Sequence, residues 1–499
     1  MITPIKIITL SMGSSLEVTV AAIVVMAAIF IIRRIHCNGK RDMMGLPGPP
    51  SIPFFGNLLT MAQLMNKNDN LLYRVHEEWK RLYGKLYGFF VGPRLFVIFE
   101  RLDDVHEILV KQFSNFTDRQ PMDFIHSSLR NALVNQKGFH WRAQRAKISP
   151  AFTNRKLRLM ESTVNAKVDI LCENLSLASE DNEEFDVYRA YQCLTLDVIA
   201  QVAFDLPSSC QLDPNDRFLE QAARFFREMP TPESCPPMAI SLLFPEVASL
   251  CELYHRKTSA AGQAEAWLVS QLRRAIRRRV ENSEPERVDL ISLLLPLSSE
   301  MDDETEDCVV ANCFAFLLAG YETTSTSLAF ATWLLANHPD KQEQLYEELM
   351  EAGLNEKDSE CRYDTLMRLP FLNGVFKETL RLFPSITFFV NRTAVRDCTV
   401  GGIRVHKGTV VCVPVWNIHR DETIWTEADQ FIPERFINSI HHPMAWLPFG
   451  GGPRNCTTIS RVISSYRVRL AEDSEKLCLL NPSVMLAPER VNATLEKRI

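Results

Sequence analysis

The segment Cys308–Asp340, "CVVANCFAFLLAGYETTSTSLAFATWLLANHPD", constrains the fold of this chain more than any other. Read as one helix, Val309 to Ala336 runs ~42 Å, long enough to cross a whole domain. Asn337-His338-Pro339 supplies a stop. A second membrane span is the rival reading, but Glu322 and five hydroxyl residues from Thr323 to Ser327 sit at its middle. Such groups are expensive in hydrocarbon. The expectation is therefore a buried central helix with protein packed around it.

The remaining sequence supplies that coat. Helical periodicity dominates from about residue 70 to 200. Within it "KLYGFFVGPRLFVIFE", Lys85–Glu100, carries glycine and proline between two aromatic, β-branched runs, which is a hairpin signal. A second sheet-like region is "CTVGGIRVHKGTVVCVPV", Cys398–Val415. From Leu206 to about Glu300 the pattern is less regular, with a proline cluster at Glu228–Pro237 and the basic run "RRAIRRR" at Arg273–Arg279. That run reads as a solvated helix face, or as a contact with anionic lipid or an acidic partner. The fold class is mainly α with minor β sheets. A formal net charge of −6, Lys+Arg 55 against Asp+Glu 61, gives no argument for nucleic acid. Thirteen cysteines occur without any C-x-x-C spacing, which fits reduced thiols rather than a disulfide framework or structural zinc.

The N-terminus differs from the rest. "VTVAAIVVMAAIFII", Val18–Ile32, holds a single polar residue, Thr19, with Glu17 before it and Arg33, Arg34, Lys40 and Arg41 after it. A basic cluster that follows the apolar core fits a retained signal anchor better than a cleaved signal peptide. The positive-inside rule places the bulk of the chain on the cytoplasmic side. Residues 1–36 are expected to form the membrane anchor and 37–57 a basic and proline-rich hinge around "LPGPPSIPFFGN", while for 58–499 the residues alone leave one domain or several open.

Five short motifs carry chemistry. "AGYETT" places Glu322 and Thr323 in an apolar wall. There Ala319 and Gly320 open space, and hydroxyls can bond back to carbonyls. The alternatives are a packing groove with satisfied hydroxyls or a proton relay beside a bound ligand. In "KETLRLFP", Glu378 and Arg381 share a helix face, a spacing that usually makes a surface ion pair. "FIPERF" adds Arg435, which could complete a buried network. "HWRAQR" sets Trp141 and Arg145 four apart, as a surface cation–π pair or a carboxylate site on a planar ligand. Last comes "FGGGPRNC", Phe449–Cys456, whose glycine run implies a sharp turn or a close approach.

W-x-x-x-R, A-G-x-E-T-T, E-x-x-R, P-E-R-F and F-G-G-G-x-R-x-C, in that order, resemble the cytochrome P450 haem–thiolate monooxygenases, and most closely their microsomal drug- and steroid-oxidising clan. The resemblance implies a single large haem-binding domain with the cytochrome P450 fold. It implies haem b with Cys456 as its axial thiolate, and Phe449 and Gly452 in the loop against the ring. Arg454, Trp141, Arg145, Arg392 and, more weakly, Arg119 of "FTDRQ" would face the propionates. Thr323 and Glu322 match the alcohol–acid pair that delivers protons when dioxygen is split. The implied reaction inserts one oxygen atom of dioxygen into a lipophilic organic substrate. Electrons would come from NADPH through cytochrome P450 reductase, with cytochrome b5 as a further electron-transfer partner. The implied location is the endoplasmic reticulum membrane, single-pass, with the catalytic domain cytoplasmic. Phe314, Phe316 and "SITFFV", Ser385–Val390, line a lipophilic pocket or belong to the core.

After Cys456 the chain departs from the family pattern. Thr457 and Thr458 replace the usual small residue and glycine, and Ser464–Leu477 resembles what normally follows the proximal helix. Most of that helix is therefore missing, and "TTISRVISS" has low helix propensity. The alternatives to a monooxygenase are a membrane-anchored binding protein with impaired haem binding and a haem-dependent isomerase.

Overall fold

The computed structural model describes residues 39–120, 127–180, 184–206, 208–213, 215–232, 234–281, 290–295, 302–354, 363–387, 390–437, 441–448, 456–480 and 485–498. The anchor expected at residues 1–36 lies outside them. Among the described residues no helix is long and apolar enough to cross a membrane.

The central segment is one helix, Asp303–Asn337, of 35 residues. Its start follows from local chemistry. Asp302 caps it by accepting a hydrogen bond from the Thr305 amide at 2.8 Å, and Asp303, Glu304 and Glu306 place negative charge in the first turn. His338 ends it, and Pro339 begins the next helix, Pro339–Glu351. Its two halves enter different cores. Val309 to Tyr321 packs with the helices Arg217–Arg227 and Ala260–Glu281. Leu328 to Leu335 packs with Val187–Phe204, Pro370–Leu382 and Cys456–Ser465. Core packing on more than one side explains why most of this helix reads as apolar rather than amphipathic.

The expected hairpin forms as strands Leu86–Val91 and Arg94–Phe99. Gly92 turns it at φ +55°, and a Cβ there would fall 2.2 Å from the Leu242 carbonyl oxygen, so no larger residue fits. Arg94–Phe99 then pairs in parallel with Val410–Cys412, which pairs antiparallel with Asn391–Thr393. The proline-rich segment packs on this sheet: Asn57 accepts from the Phe90 amide at 2.8 Å, and the Gly88 amide reaches the Pro47 carbonyl at 2.9 Å.

One expectation needs correction. The region after Leu206 is more regular than its composition suggests, with helices Arg217–Arg227, Pro236–Leu243, Ala248–Thr258 and Ala260–Glu281. The basic run is a solvated helix face as expected, with Arg274, Arg277 and Arg278 exposed, and part of its charge is neutralised within the chain. Arg273 and Arg277 both reach Glu306, at 2.9 and 3.0 Å, and Arg273 also reaches Asp307 at 2.7 Å. Sequence spacing could not show this, because the acids sit on the central helix.

Candidate functional site

The site is assembled around a gap at the middle of the central helix. Ala319 is exposed and Thr323 half-buried, although Phe314, Leu317, Tyr321 and Ser325 around them are buried. Four residues apart, Ala319 and Thr323 share one face. The Thr323 hydroxyl donates to the Ala319 carbonyl at 2.6 Å, and the Thr323 carbonyl accepts from the hydroxyls of Ser327, at 2.7 Å, and Ser385, at 3.3 Å. Gly320 does not open space as expected. A Cβ on it would lie 2.9 Å from Ile199 Cδ1, so its smallness lets the helix Val187–Phe204 approach. Phe314 is core, edge-on to Phe225, whereas half-buried Phe316 meets Phe152 with ring centres 5.5 Å apart.

Glu322 points to a different side. Its side chain is 6% exposed. The Tyr188 hydroxyl donates to Oε1, and Gln192 Nε2 donates to Oε2 at 3.3 Å. Burial pushes the Glu322 carboxyl pKa up, and the two donors only partly oppose it. The carboxyl therefore keeps its proton to higher pH than an ordinary surface glutamate.

Arg119 and Arg392 come together through the sheet edge. Asp118 bridges Thr393, whose amide donates to the Asp118 carbonyl at 2.7 Å and whose hydroxyl donates to the Arg119 carbonyl at 3.1 Å. Burial, followed by the charge of Arg392, lowers the Arg119 pKa to about 9, and burial lowers that of Arg392. Two partly buried like charges are unfavourable together unless an anion joins them. The helix carrying Trp141 and Arg145, Gly138–Ile148, starts beside this pair, since the Gly138 amide donates to Asp118 Oδ1 at 3.3 Å. Trp141 is half-buried against Phe113, with ring centres 6.0 Å apart, and Arg145 is exposed.

Cys456 is the first residue of the helix Cys456–Ser465. Phe449, Gly452 and Arg454 lie outside the described residues, as does the Cys456 side chain. A thiol at a helix start is the position where amides and dipole favour the thiolate. The expectation that "TTISRVISS" makes a poor helix is corrected. Ile459, Val462 and Ile463, spaced three and four apart, are buried in the core, and this packing overrides weak propensity. The helix is nevertheless short, because strand Tyr466–Leu470 follows it at once.

The approach to the cysteine loop is held by a buried polar network. Glu378 binds Arg381 through both oxygens and Arg435 through Oε1 at 3.0 Å, so the pair that usually lies on a surface is here wholly internal. Arg381 also donates to the carbonyls of His419 and Ala428, both at 2.6 Å. His419 accepts from the Leu447 amide at 2.9 Å through Nε2, so its Nδ1–H donates to the Arg381 carbonyl at 3.1 Å. Burial first, then the Arg381 charge, holds the His419 pKa at about 3 and the ring neutral. Trp446 adds a bond to the Lys377 carbonyl at 2.9 Å.

Sequence reasoning missed Tyr188, Gln192 and His419. Tyr188 and Gln192 stand four apart on an apolar helix, so a shared polar face was a weak available signal. His419 carried none.

These features fit haem b. The Arg119–Arg392 pair suits its carboxylates, the gap at Ala319 suits a flat ring, and a helix-start cysteine suits its metal. The family profile described as Cytochrome P450 matches residues 46–457, ending one residue after Cys456. The chain is 29% identical to cytochrome P450 3A9 of Rattus norvegicus over 91% of its length and 92% of the relative's. It is 30% identical to cytochrome P450 3A6 of Oryctolagus cuniculus, over 91% of each chain. It is 31% identical to thromboxane-A synthase of Macaca fascicularis, covering 88% of this chain and 87% of that one. The chain belongs to the cytochrome P450 family of haem-dependent monooxygenases, whose cofactor is haem b held through an axial cysteine thiolate.

Proposed function

We propose that this chain inserts one oxygen atom of dioxygen into a lipophilic organic substrate, with electrons delivered from NADPH by a separate reductase. The observation that carries this reading is the pairing of a buried Glu322, held by Tyr188 and Gln192, with Thr323 at a gap in the central helix. Cleaving dioxygen consumes protons, whereas rearranging a peroxide does not. When bound, the haem supplies the redox chemistry, with thiolate donation favouring O–O cleavage.

In this reading the protein's own residues have separate tasks. Cys456 holds the metal, while Arg119, Arg392, Arg454, Trp141 and Arg145 hold the carboxylate edge. Thr323 Oγ1, bonded at rest to the Ala319 carbonyl, orients protons at the gap. Glu322 replenishes them from the other side of the helix. Phe316, half-buried, contributes to the lipophilic wall. Residues 18–32, followed by their basic cluster, support anchoring in the endoplasmic reticulum with the domain on the cytoplasmic side. Protease protection of the large domain in sealed microsomes would refute that topology.

The likeness to thromboxane-A synthase favours a second reading, a haem-dependent isomerase. Turnover decides between them. The purified chain is assayed with reductase on fatty acids, steroids and alkoxyaromatic probes, with and without NADPH and dioxygen. Product that requires both supports the monooxygenase, and product formed from a peroxide substrate without NADPH supports the isomerase.

A further inference from the structure

Glu322 lines a cavity of about 900 Å³ that also touches Tyr188, Gln192 and Ala223. Its walls are the helix Val187–Phe204, the helix Arg217–Arg227 and the paired strands Leu479–Leu480 and Ala487–Pro488. The charged groups around it are Asp69, Asp186, Glu220 and Glu489 against Arg189 and Arg227. That balance is acidic, so the cavity attracts cations and protons. Glu322 is part of its lining, and Thr323, the next residue, stands on the helix face with exposed Ala319.

We propose that this cavity is the proton entry of the site, with Tyr188 and Gln192 as positioning residues that hold Glu322 at the junction between cavity and gap. The proposal rests on the reading of Glu322 and Thr323 as the proton relay. The balance is simple. Glu322 releases one proton toward the Thr323 face and takes up one from solvent through the cavity, so the carboxyl returns to its starting state and solvent loses one proton.

Tyr188 and Gln192 have opposite effects to burial. Each donates to the carboxylate and so favours its ionised form, while desolvation favours the neutral acid. Tyr321 is the other titratable group coupled to Glu322 on its own helix, and its buried phenol stays protonated because its pKa is raised well above 10.0. The two donors therefore offset part of the burial that favours the neutral acid, which keeps the ionised state within reach.

The test uses the full chain loaded with haem, and infrared difference spectra against Glu322→Gln to identify the Glu322 carboxyl band. Tyr188→Phe should move the titration midpoint of that band upward by about one pH unit, through loss of a donor to the carboxylate. Gln192→Leu should move it the same way. Ala223→Phe, which fills the cavity, should slow hydrogen–deuterium exchange of the band several-fold and raise the peroxide formed per NADPH. A purely structural Tyr188 would lower melting temperature without moving the midpoint, and that result overturns its positioning role. If Thr323→Ala and Glu322→Gln uncouple turnover while Ala223→Phe exchanges at the wild-type rate, the relay stands and the cavity is not its entry. If neither substitution uncouples turnover, the relay reading itself falls, and this inference with it.

Discussion

Arg381 donates two parallel hydrogen bonds to Glu378, Nε to Oε2 and Nη2 to Oε1, both at 2.8 Å, between side chains with no solvent exposure. The remaining Arg381 donors fasten the backbone at His419, Ala428 and Gln430. Removing Glu378 strands the Arg381 charge inside the protein, and removing Arg381 leaves the buried Glu378 with Arg435 as its remaining cation. Arg381→Leu or Glu378→Leu alone should cost about 3–5 kcal/mol and leave little soluble, haem-loaded protein. Denaturant unfolding and the yield of soluble protein measure this, and near wild-type stability would contradict it.

Gly320 predicts a packing effect. Gly320→Val should destabilise by about 1–3 kcal/mol through overpacking, since the added Cβ meets Ile199 Cδ1 at 2.9 Å. Ile199→Ala should relieve part of that cost in the double variant. Additive losses would show that the two helices are not in the contact described.

Thr323→Ala should keep the haem spectrum and divert reducing equivalents to hydrogen peroxide. Coupled product per NADPH should fall roughly 10-fold or more, as expected when a positioned proton donor is lost. The measurement is product and peroxide yield at fixed NADPH consumption. Unchanged coupling would remove Thr323 from the relay.

His419 predicts acid sensitivity. Its folded pKa of about 3 lies below the ordinary 6.5, so below pH 6.5 the unfolded chain takes up a proton that the folded one refuses. The stability contributed by neutral His419 is complete above that pH and is lost as pH falls toward 3, by up to about 1.4 kcal/mol per pH unit. His76, also held at about 3 by burial, acts with the same sign, so wild type must be compared with His419→Asn. The variant should be less stable at neutral pH and show a shallower acid slope in melting temperature. Because His419 fixes Leu447, acid should also loosen the start of the cysteine loop.

Haem retention should be low for this family. The helix after Cys456 ends at Ser465 and gives way directly to a strand, and its apolar residues Ile459, Val462 and Ile463 are already committed to the protein core. The purified chain should carry less than one haem, and Arg392→Leu should weaken retention about tenfold, the worth of one charge-assisted hydrogen bond. Haem per chain and the reduced carbon monoxide difference spectrum check both. Full occupancy with a stable thiolate band would show that the short helix suffices.

The sequence by itself determined the elements whose signals are local. A long apolar run with stop residues had to become a buried helix, and two β-branched runs around Gly92-Pro93 had to become a hairpin. The order of five motifs was enough to identify the family and to nominate Glu322, Thr323 and Cys456. Tertiary structure decided the directions and the partners. Glu322 and Thr323 are adjacent in sequence, yet one faces Tyr188 and the other Ala319, because successive helix residues are turned ~100° apart. Arg119 meets Arg392 only because Asp118 bridges Thr393 at the sheet edge. Glu378 and Arg381 have the spacing of an ordinary surface pair, and only the chain folding over them from His419 to Arg435 buries them. The residues after Cys456 have weak helix propensity, and they form a helix because burying Ile459, Val462 and Ile463 outweighs that preference. Local propensities are small against the free energy of burial, and burial depends on segments that are distant in the chain.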